Sequence, residues 1–208
     1  MVMSGRLISL LCCLNSRFGT FRPMALGFAR RKLAMQIETE RLRIRSLEVA
    51  DASPLAAIWS DPEVTRHMGG PRDFAAIREE LEEDAQAGDQ AVMDLWTVVE
   101  KASGQVIGHC GFPEKDVDGQ AEIELIYVFA SDCWGKGYAT EAALALRDHA
   151  FHRLGLRRII ALIDPGNPAA ARVAEKVGMQ LEKETRRPSG KIMSVYSIHY
   201  LEPGFRVG

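Results

Sequence analysis

The stretch Cys133-Trp-Gly-Lys-Gly-Tyr-Ala-Thr-Glu-Ala142 lies between a strand-like and a helix-like run. Its two glycines, Gly135 and Gly137, let the backbone approach a ligand closely, and the first N–H groups of the following helix have no intrahelical acceptor. Lys136 adds a full positive charge, which makes a pyrophosphate the natural occupant. A tight strand-to-helix turn that merely requires glycine leaves the same trace. A second candidate is the pair Glu122 and Glu124, two apart on one strand and therefore on one face. There, like-charge proximity and partial burial would raise a carboxylate pKa toward neutrality, as suits a general base. The plainer readings are that one of them only attracts a cationic substrate, or that both are cleft-edge charges. His109, on the adjacent strand run, is a third proton-transfer candidate, although a lone strand histidine is more often structural.

A rival phosphate reading is a dinucleotide fingerprint, with Gly135-x-Gly137 after a strand and Asp164 ending the next one. It fits poorly: the third glycine position is Thr140, five residues separate the strand from Gly135, and only 44 residues follow Asp164. The four cysteines, at 12, 13, 110 and 133, form no CxxC and have no histidine at metal spacing. Neither a metal site nor a disulfide framework is expected, and a reducing, cytoplasmic setting fits best.

The elements that must position these residues alternate in period. Arg41–Arg45 has strict period two and reads as a half-buried strand, after which Asp51 is placed to cap a helix with Pro54 in its first turn. Arg72–Ala87 carries Phe74, Ile77 and Leu81 at helical spacing above an acidic solvated face. Leu95–Glu100, Gln105–Phe112 and Ala121–Phe129 read as an antiparallel meander, joined by Lys-Ala-Ser-Gly and by a loop containing Asp118-Gly119. Lys136–Leu154 reads as a helix and Arg158–Ile163 as a strand. Asn167-Pro168 opens another helix that Gly178 closes. Gln180–Thr185 and Ile192–Tyr200 are the last strands, around the turn Pro188-Ser189-Gly190.

With 208 residues, 47% hydrophobic and 26% charged, the chain is long enough for one sizeable core, and no apolar run is long enough to cross a bilayer. The net charge of −2 hides an asymmetry. Residues 1–34 hold six basic side chains and no acid, leaving 20 basic residues against all 28 acids for 35–208, a net of −8. Such a body has no reason to hold nucleic acid or a membrane surface, and it suits a cationic acceptor. Residues 1–34 are expected to be a disordered or non-native extension before a start at Met35. A secretory signal, a transit peptide and lipidation at Cys12-Cys13 are weaker readings. Residues 35–208 read as a single domain.

Taken together, Ile37-Glu-Thr-Glu-Arg-Leu-Arg-Ile-Arg45, Glu124-Leu-Ile-Tyr127, Trp134-Gly-Lys-Gly-Tyr-Ala-Thr-Glu-Ala142 and Asn167-Pro-Ala-Ala-Ala-Arg-Val-Ala-Glu-Lys-Val-Gly178 resemble the GNAT superfamily of N-acetyltransferases over about residues 37–201. They are most similar to its ribosomal-protein N-terminal acetyltransferase (RimJ/RimL-like) branch. Gly137 and Ala139 match the signature Q/R-x-x-G-x-G/A, while Trp134 takes the Q/R seat, as is usual in that branch.

The resemblance implies an α+β fold whose central, mostly antiparallel twisted sheet of about seven strands is flanked by helices and splayed at an acetyl-CoA cleft. It implies acetyl-CoA as co-substrate and direct transfer to a primary amine, either a protein N-terminus or a small molecule. The pyrophosphate would lie on Trp134, Gly135, Lys136, Gly137, Tyr138 and Ala139, with Thr140 beside them. The pantetheine arm would run along Tyr127, Val128 and Phe129 like an added strand. Asn167 resembles the family's CoA-contacting asparagine, a role compatible with capping its helix. Glu124 is the family-matching base, with Glu122 and His109 as substitutes. The family's acid for the departing thiolate is missing, because its tyrosine seat is Ala174 and its serine seat Ala170. Water or Tyr196 would have to replace it. Trp59, Arg66, His67 and Met68 fall in the segment that shapes the acceptor site in relatives, while Trp96 and Phe112 read as core. A monomer or homodimer is expected. The reading from a different class is a regulatory domain that binds CoA without turnover.

Overall fold

The computed structural model describes residues 36–87 and 95–200. The expectations for residues 1–34, for a start at Met35 and for Cys12-Cys13 lie outside the described residues.

In chain order the strands are β1 (Gln36–Glu38), β2 (Leu42–Arg45), β3 (Leu95–Glu100), β4 (Val106–Gly111), β5 (Glu114–Val117), β6 (Gln120–Ile123), β7 (Ile126–Phe129), β8 (Arg158–Ile163), β9 (Gln180–Arg186) and β10 (Ile192–His199). The helices are α1 (Ala52–Ser60), α2 (Pro62–Thr65), α3 (Phe74–Ala87), α4 (Tyr138–His152) and α5 (Pro168–Val177). Five strands form one antiparallel sheet in the order β1-β2-β3-β4-β7, and three form a second, β8-β10-β9. This is the mixed, mostly antiparallel fold that the sequence implies; where a central sheet of about seven strands is expected, the described residues form sheets of five, three and two.

Alternation sorts the side chains onto two faces. Leu42 and Ile44 are fully buried while Arg43 is exposed. On β7, Tyr127 and Phe129 join the cluster built on Ala142, Ala143, Leu146 and Ala150 of α4. Ile126 and Val128 join the opposite cluster, with Leu55 and Trp59 of α1 and Leu81 of α3. The first sheet is therefore covered by helices on both faces. Phe112 is fully buried, whereas Trp96 is only half-buried and meets Phe112 edge-on at 5.8 Å.

Three expectations change. The single strand over Ala121–Phe129 is two strands with different partners: β6 pairs with β5, and β7 pairs with β4. The supposed loop before it is the β5–β6 hairpin, whose turn places Asp118 and Gly119 at φ of 55° and 81°. Asp51 precedes α1 but does not cap it with its side chain. Its carboxylate accepts instead from Arg45 at 2.6 and 2.9 Å, from the Glu48 N–H and from the Thr97 hydroxyl. Burial would raise that carboxyl, and these four donors outweigh it and lower it.

The feature that matters for function is a fork. β7 and β8 are the facing edges of the two sheets, and they meet at one parallel bridge between Glu124 and Ile160, where the Leu125 N–H donates to the Ile160 carbonyl at 2.7 Å. No ladder pairs Ile126–Phe129 with β8. Among the described residues, one edge of β7 is left open.

Candidate active site

A cavity of about 360 Å³ occupies the gap beyond the fork. Its walls are Glu124 to Tyr127, the end of β8, the start of α5 at Asn167 and Ala170, the segment following α2, Lys115 of β5 and the β9–β10 turn. Glu124 stands at the apex with 8% of its surface exposed. Burial raises its carboxyl, and Lys115, the Leu162 N–H and Arg187 oppose that rise without cancelling it.

The structure separates Glu122 from this centre. Glu122 does not line the cavity, and both its oxygens accept from Arg158 Nε at 3.1 Å, in a network that includes Glu182. Like-charge repulsion between the two glutamates is therefore not what raises Glu124. His109 is likewise in the core, 1% exposed, with Trp59 Nε1 donating to its Nδ1 at 3.2 Å. Burial pushes it down to about 4, so it stays neutral, and it does not line the cavity. Tyr196, half-buried on β10, is also absent from the walls, although it stands near enough to Tyr127 to help raise that phenol.

A hydroxyl does reach the seat where serine was missed. Tyr127 donates its O–H to the Ala170 carbonyl at 3.0 Å, and Ala174 is fully buried behind it in the core. Burial first, then Glu124 and Tyr196, push the Tyr127 phenol well above its ordinary value, so it keeps its proton. Asn167 caps α5 by accepting from the Ala170 N–H at 3.1 Å, and it also lines the cavity. Of the acceptor-segment candidates, His67 and Met68 line the cavity. Trp59 is buried, and Arg66 is an exposed partner of Glu63 at 3.7 Å.

The glycine loop leads into α4. Gly135 and Gly137 have φ of 74° and 84°, and Gly137 starts the helix with no side-chain cap. The first intrahelical bond there runs from the Glu141 N–H to the Gly137 carbonyl, so the N–H groups of Tyr138, Ala139 and Thr140 face outward without helical acceptors. Arg41 braces the loop. Its Nη1 donates to the Lys136 carbonyl at 2.8 Å, its Nε pairs with Glu141 at 2.7 Å, and its guanidinium lies 4.6 Å over the Tyr138 ring. The Tyr138 hydroxyl bonds Glu100, so this residue offers a ligand its main chain only.

The β7 edge also fits an extended amide chain. The Ala130 N–H donates to the Ile107 carbonyl at 3.0 Å, which fixes the ladder's phase and turns the main-chain groups of Tyr127 and Phe129 away from β4. The side chain of Val128 is 3% exposed, inside the α1 cluster. Trp134 Nε1 already bonds the Phe129 carbonyl at 3.0 Å, leaving that residue's N–H. The close seat of β7 on β4 depends on Gly108, where a Cβ would lie 2.6 Å from the Val128 carbonyl oxygen.

Residues 41–180 match the family model described as Acetyltransferase (GNAT) domain. The chain belongs to the GNAT acetyltransferase family. It is 36% identical to the Bacillus subtilis protein YkkB over 77% of this chain and 94% of that protein. It is 33% identical to an uncharacterized N-acetyltransferase, p20, from Bacillus licheniformis, over 79% and 94%. A solved GNAT acetyltransferase from Bacillus anthracis superposes with a TM-score of 0.68 at 28% identity, covering 79% of this chain and 98% of that one.

As a GNAT acetyltransferase the protein is an acyltransferase. Its orphan amides at α4, positive-φ glycines and open β7 edge fit the pyrophosphate and pantetheine of acetyl-CoA. Sequence reading missed four residues around this arrangement. In the sequence Arg41 is one residue of a period-two strand and of the motif 37–45, and Lys115 falls in the expected loop before Ala121. Arg187 adjoins a turn with no motif, and the sequence points to the backbone of Tyr127 rather than to its hydroxyl. Among the described residues, no helix is long and apolar enough to cross a membrane.

Proposed function

We propose that the protein transfers the acetyl group of acetyl-CoA to a primary amine by direct attack, with Glu124 as general base. The observation that carries this reading is the buried carboxylate at the apex of the fork, facing a cavity whose walls include the open β7 edge and the start of α5. Bound acetyl-CoA would supply the thioester. Trp134, Gly135, Lys136, Gly137, Tyr138, Ala139 and Thr140 would hold its pyrophosphate, and Tyr127, Phe129 and Asn167 its pantetheine. Glu124 takes the proton of the attacking amine, and main-chain N–H groups of β7 face the developing oxyanion. The departing thiolate takes its proton from solvent in place of the absent serine and tyrosine, because the Tyr127 phenol, which lines the same cavity, donates its one proton to the Ala170 carbonyl and is held protonated by burial. The motif 37–45 and Trp134 favour the RimJ/RimL-like branch.

Thermal unfolding tests the cofactor. Saturating acetyl-CoA, at about 100 times its Kd, adds ~2.7 kcal/mol, which in a domain of this size raises Tm by roughly 5–10 °C. NAD and ATP should give no such shift. Gly137→Asp should abolish the acetyl-CoA shift, because it forces a side chain into positive φ and places a carboxylate at the anion site. A shift with NAD instead, or none with acetyl-CoA, removes the proposal.

Arg41 provides a subtler check. Arg41→Ala should raise KM for acetyl-CoA about three- to tenfold with little change in kcat, since ~1 kcal/mol of loop ordering is lost from an exposed brace remote from the reacting atoms. Steady-state kinetics with acetyl-CoA varied at fixed amine reads this directly, and a kcat defect with unchanged KM would contradict the role.

A further inference from the structure

The charge of the cavity runs against the expectation that the acidic body suits a cationic acceptor. Arg72, Lys115, Arg187 and Lys191 line it, against the carboxylates of Glu124 and Asp164. One of these pairs is already matched: Lys191 Nζ lies 2.7 Å from Asp164 Oδ2 and, with burial opposing, holds that carboxyl at about 2. Arg72 lies over the Trp59 ring at 5.3 Å.

Lys115 stands apart. It alternates along β5 with exposed Glu114 and Asp116 and shares the inner face with Val117, which packs on Ile160 and Val195. That register calls for an apolar side chain. Lys115 is nonetheless 8% exposed, and among the described residues its side chain makes no hydrogen bond or ion pair, although Glu124 feels its charge. Its side chain reaches the cavity with no contacting anion, so a ligand bound there can supply one. Arg187 acts on Glu124 in the same way. Its Nη1 donates to the Asp116 carbonyl at 2.7 Å, and its remaining guanidinium donors have no partner among the described residues. Two donors for an anion thus flank the group assigned to take a proton from the amine.

We propose that the acceptor is a small primary amine carrying its own anionic group, a carboxylate or a phosphonate, which Lys115 and Arg187 hold while the amine lies at Glu124. This rests on the acetyl-transfer reading above. The cavity of about 360 Å³ must also admit the thioester end, which favours a small molecule over a folded partner's surface. None of residues 134–140 lines it, so these cations are separate from the loop assigned to the CoA pyrophosphate. A polyamine would meet like charge here.

The test is CoA release from acetyl-CoA with matched amines: glycine and leucine, glycinamide and leucinamide, 2-aminoethylphosphonate, and spermidine. The expected result is turnover of an amino acid or of the aminophosphonate with kcat/KM at least tenfold above that of the amides and spermidine. A preference for one anion over the other identifies its chemistry. Lys115→Gln and Arg187→Gln should each raise KM for the anionic acceptor about tenfold, leave KM for acetyl-CoA unchanged and erase the preference over the amide. Lys115→Met should do the same without lowering Tm, which separates loss of recognition from loss of folding. Equal or better use of amides or spermidine overturns the proposal, as does a rise in KM for acetyl-CoA alone. So does a chain that binds acetyl-CoA by thermal shift yet acetylates none of these amines, and in that case the cofactor reading still stands. Absence of the acetyl-CoA shift brings down both.

Discussion

Glu124→Gln is expected to lower kcat by about 10²- to 10⁴-fold, the range general-base assistance ordinarily contributes, while KM for acetyl-CoA stays within about twofold. The carboxylate must be ionised to accept the amine's proton, and burial raises its pKa above the ordinary glutamate value. The acid limb of the wild-type kcat profile should therefore lie above that value, with activity falling as pH drops through it. In the variant the limb should vanish, leaving a low and flatter rate. A pH series with the best acceptor checks both statements. Retention of the wild-type limb in Glu124→Gln would move the base elsewhere, to water or to the substrate's own equilibrium.

The largest stability effect is expected far from the cavity. Asp51 is 2% exposed and bonded by Arg45, the Glu48 N–H and the Thr97 hydroxyl, so Asp51→Ala strands a partly buried guanidinium and two donors. Breaking one side of such a pair costs about 3–5 kcal/mol, a Tm lower by roughly 6–20 °C for a domain of this size. The folded-state pKa of Asp51 is lowered, so the pair's contribution is present above the unfolded carboxylate pKa and is lost as pH falls through the lower, folded value. The gap between wild-type and variant melting temperatures should accordingly be full at pH 7 and close under strong acid. A gap unchanged by acid would assign the loss to packing rather than to the ion pair.

The sequence carried the architecture because period and punctuation agree wherever an element faces one core. Leu42 and Ile44 alternate with arginines, Asn167-Pro168 and Gly178 bracket α5, and Leu95–Glu100 and Arg158–Ile163 have the bounds their apolar runs suggest. It misled where two strands run on without a break in hydrophobicity. Ala121–Phe129 looks like one strand, and only the partners show that β6 and β7 belong to different ladders. Nor does the sequence show that Arg158 engages the Glu122 carboxylate and leaves Glu124 alone at the cavity. The glycine loop was legible because positive φ and an uncapped helix start are local properties. The cations at 115 and 187 were not, since the two lie 72 positions apart and a lysine in an inward register looks like a loop residue until the hairpin exists.

The fork at Glu124 and Ile160 also divides what can vary from what cannot. Residues on the cofactor side are bound by backbone geometry, by φ above zero at Gly135 and Gly137 and by the close approach at Gly108, so few substitutions are tolerated there. The opposite wall comes from the tips of β5, of the β9–β10 turn and of the segment after α2, which neither sheet's ladder needs in order to form. On the proposed assignment, drift in those tips can retune which molecule is acetylated while the chemistry assigned to the apex is inherited intact. Descendants of one such ancestor can thus share a reaction and have no acceptor in common.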